Sequence, residues 1–145
     1  MGAFSMIRKL LCCLLLALLA GPAAAAELVV VVSARSPITA LRAEQVADIF
    51  LSEATRFPDG GEVVALDLPI GSPLRDDFYL KVANRTPALM KAYWTKRIFT
   101  GRGQPPRELP SSQAVRKLVA DNPTLIGYID RSALDASVRP VLVVH

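Results

Sequence analysis

Leu28-Val29-Val30-Val31-Val32 is an unbroken run of five apolar, mostly β-branched residues. Strand side chains alternate between faces, so a continuous run predicts a strand covered on both, as in parallel α/β sheets. Ser33 to Ala40 reads as a loop around Pro37. Between Ala43 and Leu51 the period changes: Val46, Ile49 and Phe50 share one helical face, opposite Glu44, Gln45 and Asp48. Pro58-Asp59-Gly60-Gly61 marks a loop from Ser52 to Glu62, and Val63 to Leu68 predicts a second strand.

A second helix has a clear start: Ser72 to cap it, Pro73 at its first position, Asp76 and Asp77 near its positive end. Leu74, Phe78 and Val82 give it a buried face. Thr86-Pro87 repeats the device for a third helix, Pro87 to Phe99, whose Leu89, Met90, Tyr93, Trp94 and Ile98 read as core. Gly101 to Pro110 is a loop rich in Gly, Pro and Arg. Ser111 or Ser112 caps a fourth helix with Val115, Leu118 and Val119 inward, stopped by Asn122-Pro123. Ile126 to Ile129 and Val138 to Val144 predict two closing strands. The order β-α-β-α-α-α-β-β describes an α/β domain, a mixed sheet flanked by helices.

The residues before this pattern belong to another kind of segment. Arg8 and Lys9 precede an uncharged run of Leu, Cys and Ala from Leu10 to Ala20, then Gly21-Pro22 and the small residues Ala24-Ala25-Ala26. That is the layout of a cleaved secretory signal, 1–26, and its apolar run is too short to span a bilayer. Cys12 and Cys13 stand near the start of the run, where a lipid-anchoring cysteine would not. The expectation is a periplasmic protein of residues 27–145, cleaved near Ala26 and with no stable membrane insertion afterwards. Cleavage removes both cysteines, so the mature chain has no disulfide and no thiol chemistry. It also removes Arg8 and Lys9, lowering the net charge from +4 to +2. So mild an excess gives no reason to expect nucleic acid as a partner. Removing 26 of 145 residues leaves 119, one domain by size and enough to bury a core.

Catalytic chemistry has little material. His145, the sole histidine, is the last residue, leaving a serine nucleophile no internal base and a metal no ligand set. Asp76 and Asp77 are adjacent on a helix and point apart. We therefore expect no enzyme, no metal and no cofactor. The suggestive segment is Gly71-Ser72-Pro73-Leu74-Arg75, where a strand leads through a turn into a helix start. Orphan N–H groups, a hydroxyl and a positive dipole end meet there, an arrangement that receives anions. Arg75 would add a charge-assisted bond. The plainer alternative is that Ser72 only caps the helix and Arg75 is solvated. Gly101-Arg102-Gly103, with Arg97 and Arg107 nearby, lacks phosphate-loop spacing and reads as a surface loop.

Several pieces resemble a family. Ser36-Pro37-Ile38 with Gln45-Val46-Ala47-Asp48-Ile49-Phe50-Leu51 is similar to the N-P-(V/I)…L-x-x-x-Q-(L/V)-x-x-I-F-x-G stretch of phosphate-type periplasmic solute-binding proteins of ABC transporters. Gly71-Ser72 with Arg75-Asp76-Asp77-Phe78 resembles that family's G-S-G-T-R-x-x-F helix start, and Ile126-Gly127-Tyr128-Ile129 its G-A-I-G-Y-(V/I) strand. The resemblance implies a type II periplasmic-binding-protein-like fold reduced to a single lobe. It carries Gly71, Ser72 and Arg75 over as ligand-binding residues. Pro73 and Leu74 replace the family's Gly and Thr, Leu68 replaces an arginine, and Pro73 has no N–H to donate. The expected function is a solute-binding-like domain for a small phosphate-like anion, working with an ABC transporter permease or another envelope protein. The alternative is a ligand-free adaptor on the same fold, using an apolar patch around Trp94, Ile98 and Phe99.

Overall fold

The computed structural model describes residues 27–145. The expected signal peptide lies outside the described residues. In chain order the elements are β1 (Leu28–Ser33), α1 (Ala43–Phe50), β2 (Val64–Asp67), α2 (Pro73–Ala83), α3 (Pro87–Phe99), β3 (Arg107–Glu108), α4 (Ser112–Asp121), β4 (Leu125–Asp130), a 3-10 turn (Arg131–Ala133) and β5 (Val138–Val144). The helix starts follow their capping chemistry. Ser72, Thr86 and Ser111 each accept a hydrogen bond from the backbone N–H three residues on, and Pro73 and Pro87 stand first in their helices. Asn84, in the left-handed region at φ +53°, ends α2.

The five strands form one sheet in the order β3-β2-β4-β1-β5. β2 runs parallel to both β3 and β4, whereas β1 is antiparallel to β4 and to β5. The sheet is therefore mixed. All six residues of β1 are buried, but the parallel setting suggested by its apolar run is corrected. A continuous apolar run reports two covered faces, and the connections decide strand direction. Pro140 is tolerated opposite Val31 because β5 is an edge strand.

Neighbouring residues of β4 show what covers each face, since successive side chains point to opposite sides. Tyr128 stacks on Phe78 of α2 at 4.0 Å between ring centroids, and Phe50 of α1 packs nearby. Gly127 faces α4 on the other side. A Cβ built there would lie 2.4 Å from Val115 Cγ1, so the glycine lets helix and sheet approach. α3 lies outside α2 and buries only Met90 and Trp94, while Leu89 and Ile98 face outward, unlike the core role expected of them. The loop expected over 101–110 contains β3, whose two exposed residues carry no periodic signal.

Gly127→Ala should destabilise the domain by about 1–3 kcal/mol through overpacking against the stiff, β-branched Val115. Adding Val115→Ala should recover part of that loss, because the two sites touch. Urea unfolding of the three variants measures both effects, and additive losses would show that helix and strand do not meet there.

Candidate functional site

The end of β2 places a carboxylate in the interior. Asp67 is 1 % exposed. It is surrounded by donors: Tyr79 of α2 donates to Oδ2 at 2.5 Å, Tyr128 of β4 donates to Oδ1, and the Leu68 N–H donates to Oδ1 at 2.9 Å. Arg75 Nη1 stands 3.6 Å from Oδ2. Burial raises the Asp67 pKa above its usual value, and the two tyrosine hydroxyls and the Arg75 charge oppose that rise. Burial and the neighbouring carboxylate push both tyrosines upward, so their hydroxyls remain protonated donors.

Arg75 is buried at 8 % exposure. Its Nη1 donates to the Leu68 carbonyl at 2.8 Å and to Glu108 Oε1 at 2.9 Å, which ties the β2–α2 turn to the edge strand β3. The guanidinium also lies over the Tyr79 ring, 5.6 Å from its centroid. The solvated alternative for Arg75 is thereby corrected. An arginine one turn into a helix reaches back to the strand end, where a carboxylate and a carbonyl await it.

Gly71 takes φ +90°, a conformation glycine adopts without strain, and this turn delivers the chain into α2. Ser72 Oγ accepts the Arg75 N–H at 3.4 Å. Of the four N–H positions at the start of α2, Ser72's bonds to Pro69 O, Pro73 has none, and Arg75's is capped. The Leu74 N–H has no partner among the described residues.

Two grooves flank this turn and divide the three expected site residues between them. The smaller, about 450 Å³, is lined by Leu68, Pro69, Ser72 to Leu74, Pro110 to Ser112 and Asp130. It lies just past the carboxyl ends of the parallel strands β2, β3 and β4, where open α/β sheets place their ligands. The starts of α2 and α4 both border it. Ser111 Oγ caps Ala114 N at 3.1 Å, and Ser112 Oγ accepts the Asp130 N–H at 3.0 Å. The Asp130 carboxylate is engaged by Ser132, whose bonds hold its pKa down. Gly71 and Arg75 line the second groove, about 670 Å³, between α2 and α3.

Other candidates have structural employment. Arg97 donates to the carbonyl of Arg102 at 3.0 Å and pairs with Glu53, holding the glycine-rich loop to the end of α1. His145 is exposed beside Glu27. Among the described residues no cluster of three or more His, Cys, Asp or Glu could hold a metal, and no helix is long and apolar enough to cross a membrane. Asp67 and Glu108 escaped the sequence reading. A charge closing the apolar run Val63 to Leu68 was the available signal for Asp67, and Glu108 had none.

This architecture defines a class: a single lobe with the periplasmic-binding-protein-like fold. Solved structures sharing it include a Clostridium perfringens protein assigned to phosphate ABC transport as a substrate-binding protein and solved with bound phosphate. It is 24 % identical with a TM-score of 0.60, over 80 % of this chain and 45 % of that one. An ABC-type phosphate transport receptor from Vibrio cholerae is 19 % identical with a TM-score of 0.62, over 80 % and 46 %. PstS from Borrelia burgdorferi is 15 % identical with a TM-score of 0.56, over 79 % and 46 %. The chain spans less than half the length of each. At these identities the likeness establishes the fold. No protein-family model and no curated protein matches the chain.

Arg75→Ala should cost about 3–5 kcal/mol of stability, because it leaves Asp67 buried without its cation. A loss below 1 kcal/mol in urea unfolding would mean the ion contact is idle. Tyr128→Phe gives a signed pH test. An aspartate with a raised folded pKa contributes stability that is complete below its unfolded value near 3.8 and is lost as pH rises through the folded value. Removing the Tyr128 bond raises the folded value further. The penalty of Tyr128→Phe should therefore grow with pH, from roughly 1 kcal/mol near pH 3 to about 1.5–3 at pH 7. A penalty independent of pH would mean that the hydroxyl does not serve the ionised carboxylate.

Proposed function

We propose that this domain is a periplasmic solute-binding lobe that receives a small phosphate-like oxyanion at the start of α2. One observation carries the reading: two helix starts border one groove beyond the carboxyl ends of three parallel strands. Positive dipole ends and unpaired N–H groups favour an anion there. In this reading Gly71 supplies the turn, and the Ser72 hydroxyl and Leu74 N–H donate. Arg75 fixes the turn through the Leu68 carbonyl and lends its charge from the adjoining groove. Further support is that structures sharing the fold include one holding phosphate. Residues 1–26 act as the export signal, and an ABC transporter permease or another envelope protein is the partner.

Calorimetric titration of residues 27–145 with phosphate, sulfate and acetate should give saturable oxyanion binding that weakens as salt screens it. Ser72→Ala should lower affinity about ten- to hundredfold and stability by about 1 kcal/mol. Pro73→Ala restores an N–H at the helix start and should tighten binding by roughly tenfold. Absence of saturable binding at low salt would leave the lobe as a ligand-free interaction module. Unchanged affinity in both variants would remove the start of α2 as the site.

A further inference from the structure

The groove between α2 and α3 is the larger of the two and enters the reading above only through Arg75. Its walls are mostly apolar, with Ile70, Met90, Trp94 and Ile98 beside the charged Arg75, Asp76, Lys91 and Glu108. Ile70 is 80 % and Ile98 55 % exposed, an unusual solvation for side chains lining a concavity. A volume of about 670 Å³ with apolar walls and a few polar groups is the ordinary make-up of a small-molecule site.

One polar pair indicates what belongs there: the arginine of the groove already holds a carboxylate, contributed by the chain itself. Glu108 Oε1 lies 2.9 Å from Arg75 Nη1, and its carboxylate is partly exposed on a two-residue edge strand. Every hydrogen bond and ion contact of the Arg75 side chain is made through that one nitrogen. The buried Asp67 carboxylate and the Leu68 carbonyl keep the guanidinium in place whether or not Glu108 stays.

The geometry points to a binding site for small organic acids with an apolar body, whose carboxylate displaces Glu108 from Arg75 while the body packs over Trp94, Ile70 and Ile98. Glu108 is then an intramolecular competitor: it occupies the guanidinium when no acid is bound and sets the affinity of any acid that enters. The Arg75–Asp67 contact holds the floor, and Glu108, on a two-residue strand at the sheet edge, is the partner that gives way. This site opens on the other side of the Leu68–Ser72 turn from the oxyanion groove and shares with it only Arg75.

Trp94 is the single tryptophan of the chain, so its fluorescence reports on this groove directly. Octanoate, octanol and inorganic phosphate serve as probes. Octanoate should change Trp94 emission saturably, octanol only weakly and phosphate not at all. Glu108→Gln should tighten octanoate by roughly tenfold. Asp76→Asn removes an equal charge from the same groove without touching Arg75, and should change affinity far less. Ile98→Asp, at an exposed position, should abolish the response while urea unfolding shows the fold intact. No saturable response in either wild type or Glu108→Gln would overturn the proposal. So would equal tightening by Glu108→Gln and Asp76→Asn, which is generic electrostatics. Phosphate calorimetry on the same samples keeps the outcome separate from the oxyanion reading.

Discussion

A carboxylate held in the interior at the end of a central strand organises this domain. Asp67 is satisfied only if β4 brings Tyr128, α2 brings Tyr79 and Arg75, and the chain turns at Leu68 so that its N–H points back. The four donors come from three parts of the fold, so the sheet, the helix above it and the turn between them must be formed together. An apolar residue of similar size would impose no such geometry; a buried ion contact need not add net stability to be informative about position. The stacking of Tyr128 on Phe78 sets the same ring that donates to Asp67, joining the aromatic core to the polar one.

The turn fixed in this way separates two concavities of different character. One is small, bordered by hydroxyls and helix starts, and lies where parallel strands end. The other is larger, apolar, and closed at one end by an arginine that the chain keeps occupied. Arg75 belongs structurally to both, since the carbonyl it holds is part of the turn that shapes the first groove and its side chain lines the second. The chain spans less than half the length of the solved structures that share its fold, and its strand ends and helix starts border one groove.

Much of this was legible in the sequence where local chemistry is periodic or carries a cap. The run Leu28 to Val32, the Ser-Pro and Thr-Pro starts of α2 and α3, and the Ile126 to Ile129 strand all stand where their patterns put them. Strand direction was not legible, because an apolar run of β-branched residues is the same whether its neighbours run with it or against it. Nor was the environment of Arg75. Its burial depends on Asp67, eight residues back, and on Glu108, thirty-three residues on, and no spacing rule links a strand end to a two-residue edge strand. For α3 the apolar count was misleading: Leu89 and Ile98 are as hydrophobic as core residues, yet the helix lies at the margin of the domain, where only Met90 and Trp94 reach the interior.

The proposed role stands or falls on an oxyanion entering the groove between the starts of α2 and α4. Backbone amide NMR of the ¹⁵N-labelled domain of residues 27–145, titrated with inorganic phosphate at low salt, tests it most directly. Saturable shifts concentrated on the amides of Leu74, Ser111 and Ser112, with one common dissociation constant, are the expected result. Shifts scattered over exposed lysines and arginines, or none at all at those three amides, would contradict it.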